Sequence, residues 1–170
     1  MADEQTQDPV TEPEAAVASE DQNAQFAVQK LYLKDISFEV PNAPGIFQET
    51  GQSEINLNMA QRVNDMGEDL FEVLLTVTAT ATMDDKTAYL AEVAQAGIFK
   101  ITGLNEQAMH AALNTLCPNT LFPYARATIS SLVSDGGFPP LILQPVNWDA
   151  LYGQRMAQAQ EEAQATDSDS

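Results

Sequence analysis

The chain has 170 residues and a formal net charge of −18, from 25 acidic against 7 basic side chains. Such a surface repels polyanions, so nucleic acid is a poor partner and cationic polypeptide segments are the ones it attracts. The single cysteine, Cys117, and the single histidine, His110, exclude an internal disulfide framework and any cysteine-based zinc site within one chain.

Much of the charge is terminal: residues 1–25 hold seven acidic and no basic residues, and residues 161–170 hold four and none. The first 24 residues contain almost no large apolar groups, so burial cannot offset the entropy of ordering them. The expected organisation is a disordered acidic tail over 1–24, one domain over 25–160, and a second disordered acidic tail over 161–170. The acidic start lacks the basic and apolar regions of a secretory signal, and no stretch reaches the length of a membrane span. A cytoplasmic protein without membrane insertion is expected.

Residues 26–40 place Phe26, Val28, Tyr32, Ile36, Phe38 and Val40 at period two, which predicts a strand ending at Pro41. PNAPGIFQETGQS (41–53) is too long and too rich in Pro and Gly for a simple hairpin, so it must cross over. A second strand is predicted over 54–63, where Ile55, Leu57 and Met59 alternate with polar residues. The alternation is cleanest over 69–83: Phe71, Val73, Leu75, Val77, Ala79 and Ala81 oppose a face made mostly of threonine. Residues 86–101 carry apolar groups of both parities and predict a strand covered on both sides, joined to the third by a tight Asp84–Asp85–Lys86 turn.

The last third reads as helix. Asn105 caps a first segment that Pro118 should interrupt, and helical spacing resumes over 121–134 until Asp135–Gly136–Gly137. FPPLILQPV (138–146) should be extended, and Asn147 caps a last amphipathic helix bearing Trp148, Leu151, Tyr152 and Met156. Strands followed by helices give an α+β fold with a four-stranded antiparallel sheet. Two helical segments cannot hide all of so long a sheet, which implies self-association through strand edges and helices.

Catalytic signals are lacking. No glycine-rich nucleotide cradle, HExxH or nucleophile elbow occurs, and the acid pairs Asp84–Asp85, Glu68–Asp69 and Glu161–Glu162 lie in turns and tails as solvated charge. Cys117 reads as a small buried group and His110 as a partly buried helix residue. Asp35, Glu39 and Glu92 stand within apolar strands, either as a solvated face or as an acidic patch for a basic partner.

Three stretches, YLKDISFEVPNAPGIFQ (32–48), TAYLAEVAQAGIFKITG (87–103) and CPNTLFPYARATISSLVSDGGFPPLILQPVNWDALY (117–152), closely resemble the bacterial protein-export chaperone family SecB. The resemblance implies a dimer of dimers with helices between two eight-stranded sheets. It implies ATP-independent holding of unfolded precursor proteins, delivery to the motor SecA, and no cofactor. Carried over by position, Asp35, Glu39, Leu90 and Glu92 would receive the motor's basic, zinc-bearing tail, the zinc belonging to the partner. The C-terminal helix would supply a second motor contact, and Ala91, Val93 and Gln95 would be tetramer-interface positions. Client grooves between the crossover loop, the sheet and the last helix would be lined by Phe47, Leu141, Leu143, Trp148, Leu151 and Tyr152, with a core role open for Trp148 and Leu151. The loop departs from the family at Gly51 and Gln52, where a bulky aromatic is expected. A SecB-like chaperone dedicated to one client, such as an antitoxin, is the alternative.

Overall fold

The computed structural model describes residues 24–167, so all but the last residue of the tail expected over 1–24, and the last three residues of the chain, lie outside the described residues. Four long strands, β1 (Gln25–Glu39), β2 (Ser53–Gly67), β3 (Leu70–Met83) and β4 (Lys86–Thr102), form one antiparallel sheet in the order β1-β4-β3-β2. The crossover between β1 and β2 contains a short 3-10 helix, Gly45–Gln48, after a cis Ala43–Pro44 bond. Two helices follow, α1 (Glu106–Asp135) and α2 (Trp148–Asp167).

In β3 the alternation read from sequence is the one observed: Val73, Leu75, Val77, Ala79 and Ala81 are fully buried, and the intervening residues are partly open. In β1 the period breaks twice. Gln29 and Lys34 are extra residues in the pairing with β4, and each such bulge switches the face taken by the following side chains. Leu31 therefore turns toward the core, and Tyr32, expected beside Phe26 and Val28, stands on the opposite face next to Ala96. The second bulge restores the phase, so Ile36 and Phe38 rejoin the side of Phe26.

α1 is one helix of 30 residues that runs through Pro118 and Pro123, against the expected interruption. Proline lacks the N–H that would close an intrahelical bond, which costs about 3 kcal/mol in an isolated helix. Tertiary burial outweighs it here: Leu113, Cys117, Leu121, Ala125, Ile129 and Val133, every fourth residue, are buried as one ridge against the sheet. Asn105 caps the helix, its side chain accepting from the Ala108 N–H at 2.8 Å. Gly97 of β4 lets this ridge approach, because a Cβ there would lie 3.0 Å from a Leu121 methyl.

α1 packs mainly on β3 and β4, so the same face of the outer strands stays open. Phe26, Val28, Leu33 and Ile36 of β1 and Ile55, Leu57 and Val63 of β2 are all exposed. On the far face of the sheet β4 is covered without a second layer. Ala94 and Ala96 are buried there, beneath Tyr32 and Lys34, which reach over them to Glu72 of β3. α2 starts at the Asn147 cap, where the Ala150 N–H donates to Oδ1 at 3.0 Å. It lies against α1 through Trp148 on Phe122 and Tyr152 on His110, and it continues to Asp167, into the stretch read as a tail.

Candidate functional site

Two surfaces stand out. The first is an apolar groove of about 440 Å³ where the crossover loop meets the start of β2 and the segment after α1. Its lining includes Ile46, Phe47, Ile55, Tyr89, Phe138 and Leu141. The local sequence explains the shape. Prolines at 139 and 140 hold the strand-like segment extended, and Gly137, at φ +87°, turns the chain so that Phe138 points inward. A run of rings connects the rim to the core: Phe47 lies 5.2 Å from Phe138, Phe138 lies 5.0 Å from Tyr89, and Tyr89 lies 5.8 Å from Phe38. Such spacing suits aromatic contact and leaves the exposed half of Phe47 free for a guest. Burial pushes the Tyr89 hydroxyl above its usual range, so it remains neutral and a weak donor.

Of the groove residues expected from sequence, Phe47 and Leu141 are at the groove. Leu143 and Trp148 are not: each is 4 % exposed and packs in the core of the chain itself. Leu151 packs against that core, and Tyr152 lies apart, in a shallow depression between the helices with its hydroxyl 2.8 Å from His110 Nδ1. The physical reason is common to the three residues of α2. α2 begins by folding onto the N-terminal half of α1, so its first turn faces that helix instead of the loop. Ile46, Ile55, Tyr89 and Phe138 were missed as lining. Tyr89 and Ile55 carry the parity of core residues, and their position near the strand ends, beyond the reach of α1, was the available signal.

At Gly51 the groove rim is narrow. A Cβ there would fall 2.6 Å from the Asp84 carboxylate, so a side chain at this position would require that carboxylate to swing aside. Asp84 and Asp85 both have positive φ, 47° and 61°, as a tight hairpin requires.

The second surface is the sheet face opposite α1. Residues directly paired across antiparallel strands share a face, with Cβ atoms about 5 Å apart. Glu39 is paired with Leu90, Ser37 with Glu92 and Asp35 with Ala94, so Asp35, Glu39, Leu90 and Glu92 form one contiguous patch across β1 and β4. Beside them on β3 stand Thr76, Thr78 and Thr80, and the Thr78 hydroxyl donates to Glu92 Oε2 at 2.9 Å. An acid on a sheet face flanked by hydroxyls keeps its charge in water while its side chain is oriented, which suits capture of a cationic segment. Ala91, Val93 and Gln95 take the opposite parity: they are buried under α1, and Gln95 Nε2 donates to the Tyr32 carbonyl at 3.0 Å. These three touch no outer surface, so any influence on assembly passes through the seating of α1.

The family model described as preprotein translocase subunit SecB matches residues 19–159. The chain belongs to the SecB family. Curated relatives described as protein-export protein SecB include that of Methylococcus capsulatus, 52 % identical over 140 residues, or 82 % of this chain and 90 % of the relative. That of Xanthomonas euvesicatoria is 50 % identical over 137 residues, 81 % of each chain. Among solved structures, a SecB-like chaperone of Mycobacterium tuberculosis, in complex with a peptide from an antitoxin, is similar with a TM-score of 0.60 at 19 % identity. It covers 71 % of this chain and 90 % of its own, and shows the shared fold of four antiparallel strands and two helices. SecB proteins are chaperones of protein export. Among the described residues no helix is long and apolar enough to cross a membrane.

Proposed function

We propose that this SecB chain is an ATP-independent holdase of the cytoplasm that keeps precursor proteins unfolded and delivers them to the SecA motor. The groove of about 440 Å³ carries this reading: it is open, predominantly aromatic and aliphatic, with a floor of buried Ile46 and Tyr89 and a rim where Phe47 and Ile55 stay about half exposed. A site of that size accepts one or two bulky residues of an extended polypeptide and is weak by itself. Repetition over an assembly raises the effective concentration of each groove for the rest of a long client.

Assembly as a dimer of dimers is supported by the apolar strips left open on β1 and β2 and by Leu116 and Tyr124 on the outer side of α1. These would be covered by neighbouring copies through strand edges and helix packing. The patch of Asp35, Glu39, Leu90 and Glu92 would receive the basic, zinc-bearing tail of the motor, and α2 would make a second contact. Leu90, 37 % exposed between the acids, supplies an apolar contact beside the charge.

The test is suppression of aggregation of a denatured precursor, followed by light scattering without nucleotide, together with sedimentation of the chaperone alone and with client. Suppression by a tetramer, and loss of motor binding in Asp35→Ala/Glu92→Ala with the tetramer intact, are expected. A lone monomer that leaves aggregation unchanged would overturn the proposal, and unchanged motor affinity would overturn the assigned patch.

A further inference from the structure

One ion pair fastens the crossover loop where it borders the groove. In the strand order β1-β4-β3-β2 the chain leaves β1 at Glu39 and must pass the ends of β4 and β3 before Ser53 pairs with Met83. Three ties hold it on the way. Asn42 Nδ2 donates to the Thr87 carbonyl at 2.8 Å, Ile46 is buried in the core, and Lys86 Nζ meets Glu49 Oε1 at 2.5 Å. Beyond Glu49 the hold is slight: among the described residues, Thr50, Gly51 and Gln52 take part in no hydrogen bond outside the strand ladders.

Residues 48–52 therefore form a strap, and Glu49 and Gly51 of this strap line the groove. Pro139 and Pro140 line it too, with φ fixed by their rings, and its floor of Ile46 and Tyr89 is buried. A client segment wider than the groove must displace part of the lining, and the strap has the fewest bonds to lose. Charge keeps it seated. The hydrogen bond from Lys86 to Glu49 first, and then the nearby charges of Glu49 and Asp84, hold the Lys86 ammonium above its usual range. Gly51 runs beside the Asp84 carboxylate. Without the ammonium, the Glu49 carboxylate would be left near the Asp84–Asp85 turn with like charge, which pushes the strap outward.

We infer that the Glu49–Lys86 pair is a latch: it holds residues 48–52 against the groove, opens to admit a client segment and recloses to slow its release. This rests on the groove being the client site. The pair stands in water, with 54 % of the Lys86 side chain and 29 % of the Glu49 side chain exposed, so its strength is modest and salt weakens it. A gate of that strength opens unaided and alters rates by about threefold.

Two readouts on the full chain test the latch, the first without any client. A glutamyl endopeptidase cuts after Glu49 when the strap lifts clear, so the rate of native-state cleavage measures opening. Lys86→Gln should speed this cut about threefold at an unchanged urea midpoint. Sodium chloride at about 0.5 M should speed it in the parent and not in the variant. The second readout is stopped-flow anisotropy with a dye-labelled, permanently unfolded polypeptide. In Lys86→Gln association and dissociation should both rise about threefold and leave Kd within about twofold. Glu49→Lys/Lys86→Glu reverses the pair and should bring both rates back toward those of the parent, while each single substitution leaves them fast. Cleavage or client rates unchanged in Lys86→Gln would overturn the latch, as would a reversed pair as fast as the single variants. A rise in dissociation alone would make the pair a brace for the bound client and also overturn gating. Failure of the groove reading looks different: Lys86→Gln is cut faster, yet Phe47→Ala leaves client affinity untouched, and gating of client entry falls with it.

Discussion

Replacing Phe47 by alanine isolates the contribution of the groove rim. Phe47 is 51 % exposed, its inner edge resting on Phe138 at 5.2 Å. A phenylalanine side chain offers roughly 200 Å² in all, so about 100 Å² is open to a client. Covering that area at about 25 cal/mol per Å² is worth about 2.5 kcal/mol. Ordering a client side chain against it costs about 1 kcal/mol. The difference, about 1.5 kcal/mol, is roughly tenfold in Kd. Anisotropy of a dye-labelled, permanently unfolded polypeptide measures the affinity. The fluorescence of Trp148, the only tryptophan and buried between the helices, reports separately that the fold is intact. The variant loses one aromatic contact in the folded chain, about 1 kcal/mol, so it should remain folded. A Kd within twofold of the parent, with Trp148 emission unchanged, would refute the groove as the client site.

Three further outcomes follow from packing and charge. Leu121→Ala removes a fully buried side chain lying over Gly97 and should cost about 3 kcal/mol, read as a lower urea midpoint at fixed protein concentration; a loss under about 1 kcal/mol would show that the ridge of α1 does not hold the sheet. Burial pushes the Cys117 thiol up to about 12, so a disulfide reagent at pH 8 should leave the native chain unmodified and label it only in denaturant; fast native labelling would contradict the seating of α1. Lys34 first, and then Tyr32, hold the Glu72 carboxyl below its usual range, while the Tyr32 hydroxyl is pushed up to about 12 mainly by its bond to Glu72. A lowered carboxyl stabilises the fold above its unfolded value, and that contribution disappears as pH falls through the folded one. Glu72→Gln should therefore flatten the stability profile on the acid side while neutral-pH stability drops; an unaltered acid limb in a denaturation series would refute this.

Sequence alone defined β3 and β4 because their side chains meet two unlike surroundings, α1 on one face and water with short side chains on the other. The outward placement of Asp35, Glu39 and Glu92 was legible for the same reason, since carboxylates in an apolar strand must occupy the wet face. What escaped was long-range. Bulges at Gln29 and Lys34 carry no glycine to mark them, so Tyr32 was assigned to the wrong side. The prolines at 118 and 123 signal a break locally, yet the ridge from Leu113 to Val133 is buried strongly enough to keep the helix whole. Trp148 and Leu143 resemble groove residues by type, and only the docking of α2 on α1 shows them to be interior.

The two bulges of β1 behave like a frameshift and its suppressor. Deleting Gln29 or Lys34 alone would take one extra residue out of the ladder and leave the pairs on either side in register, with Phe26 and Val28 still facing inward. Removing both should give a shorter first strand with its original phase. A residue can therefore be lost at either bulge without turning the strand over.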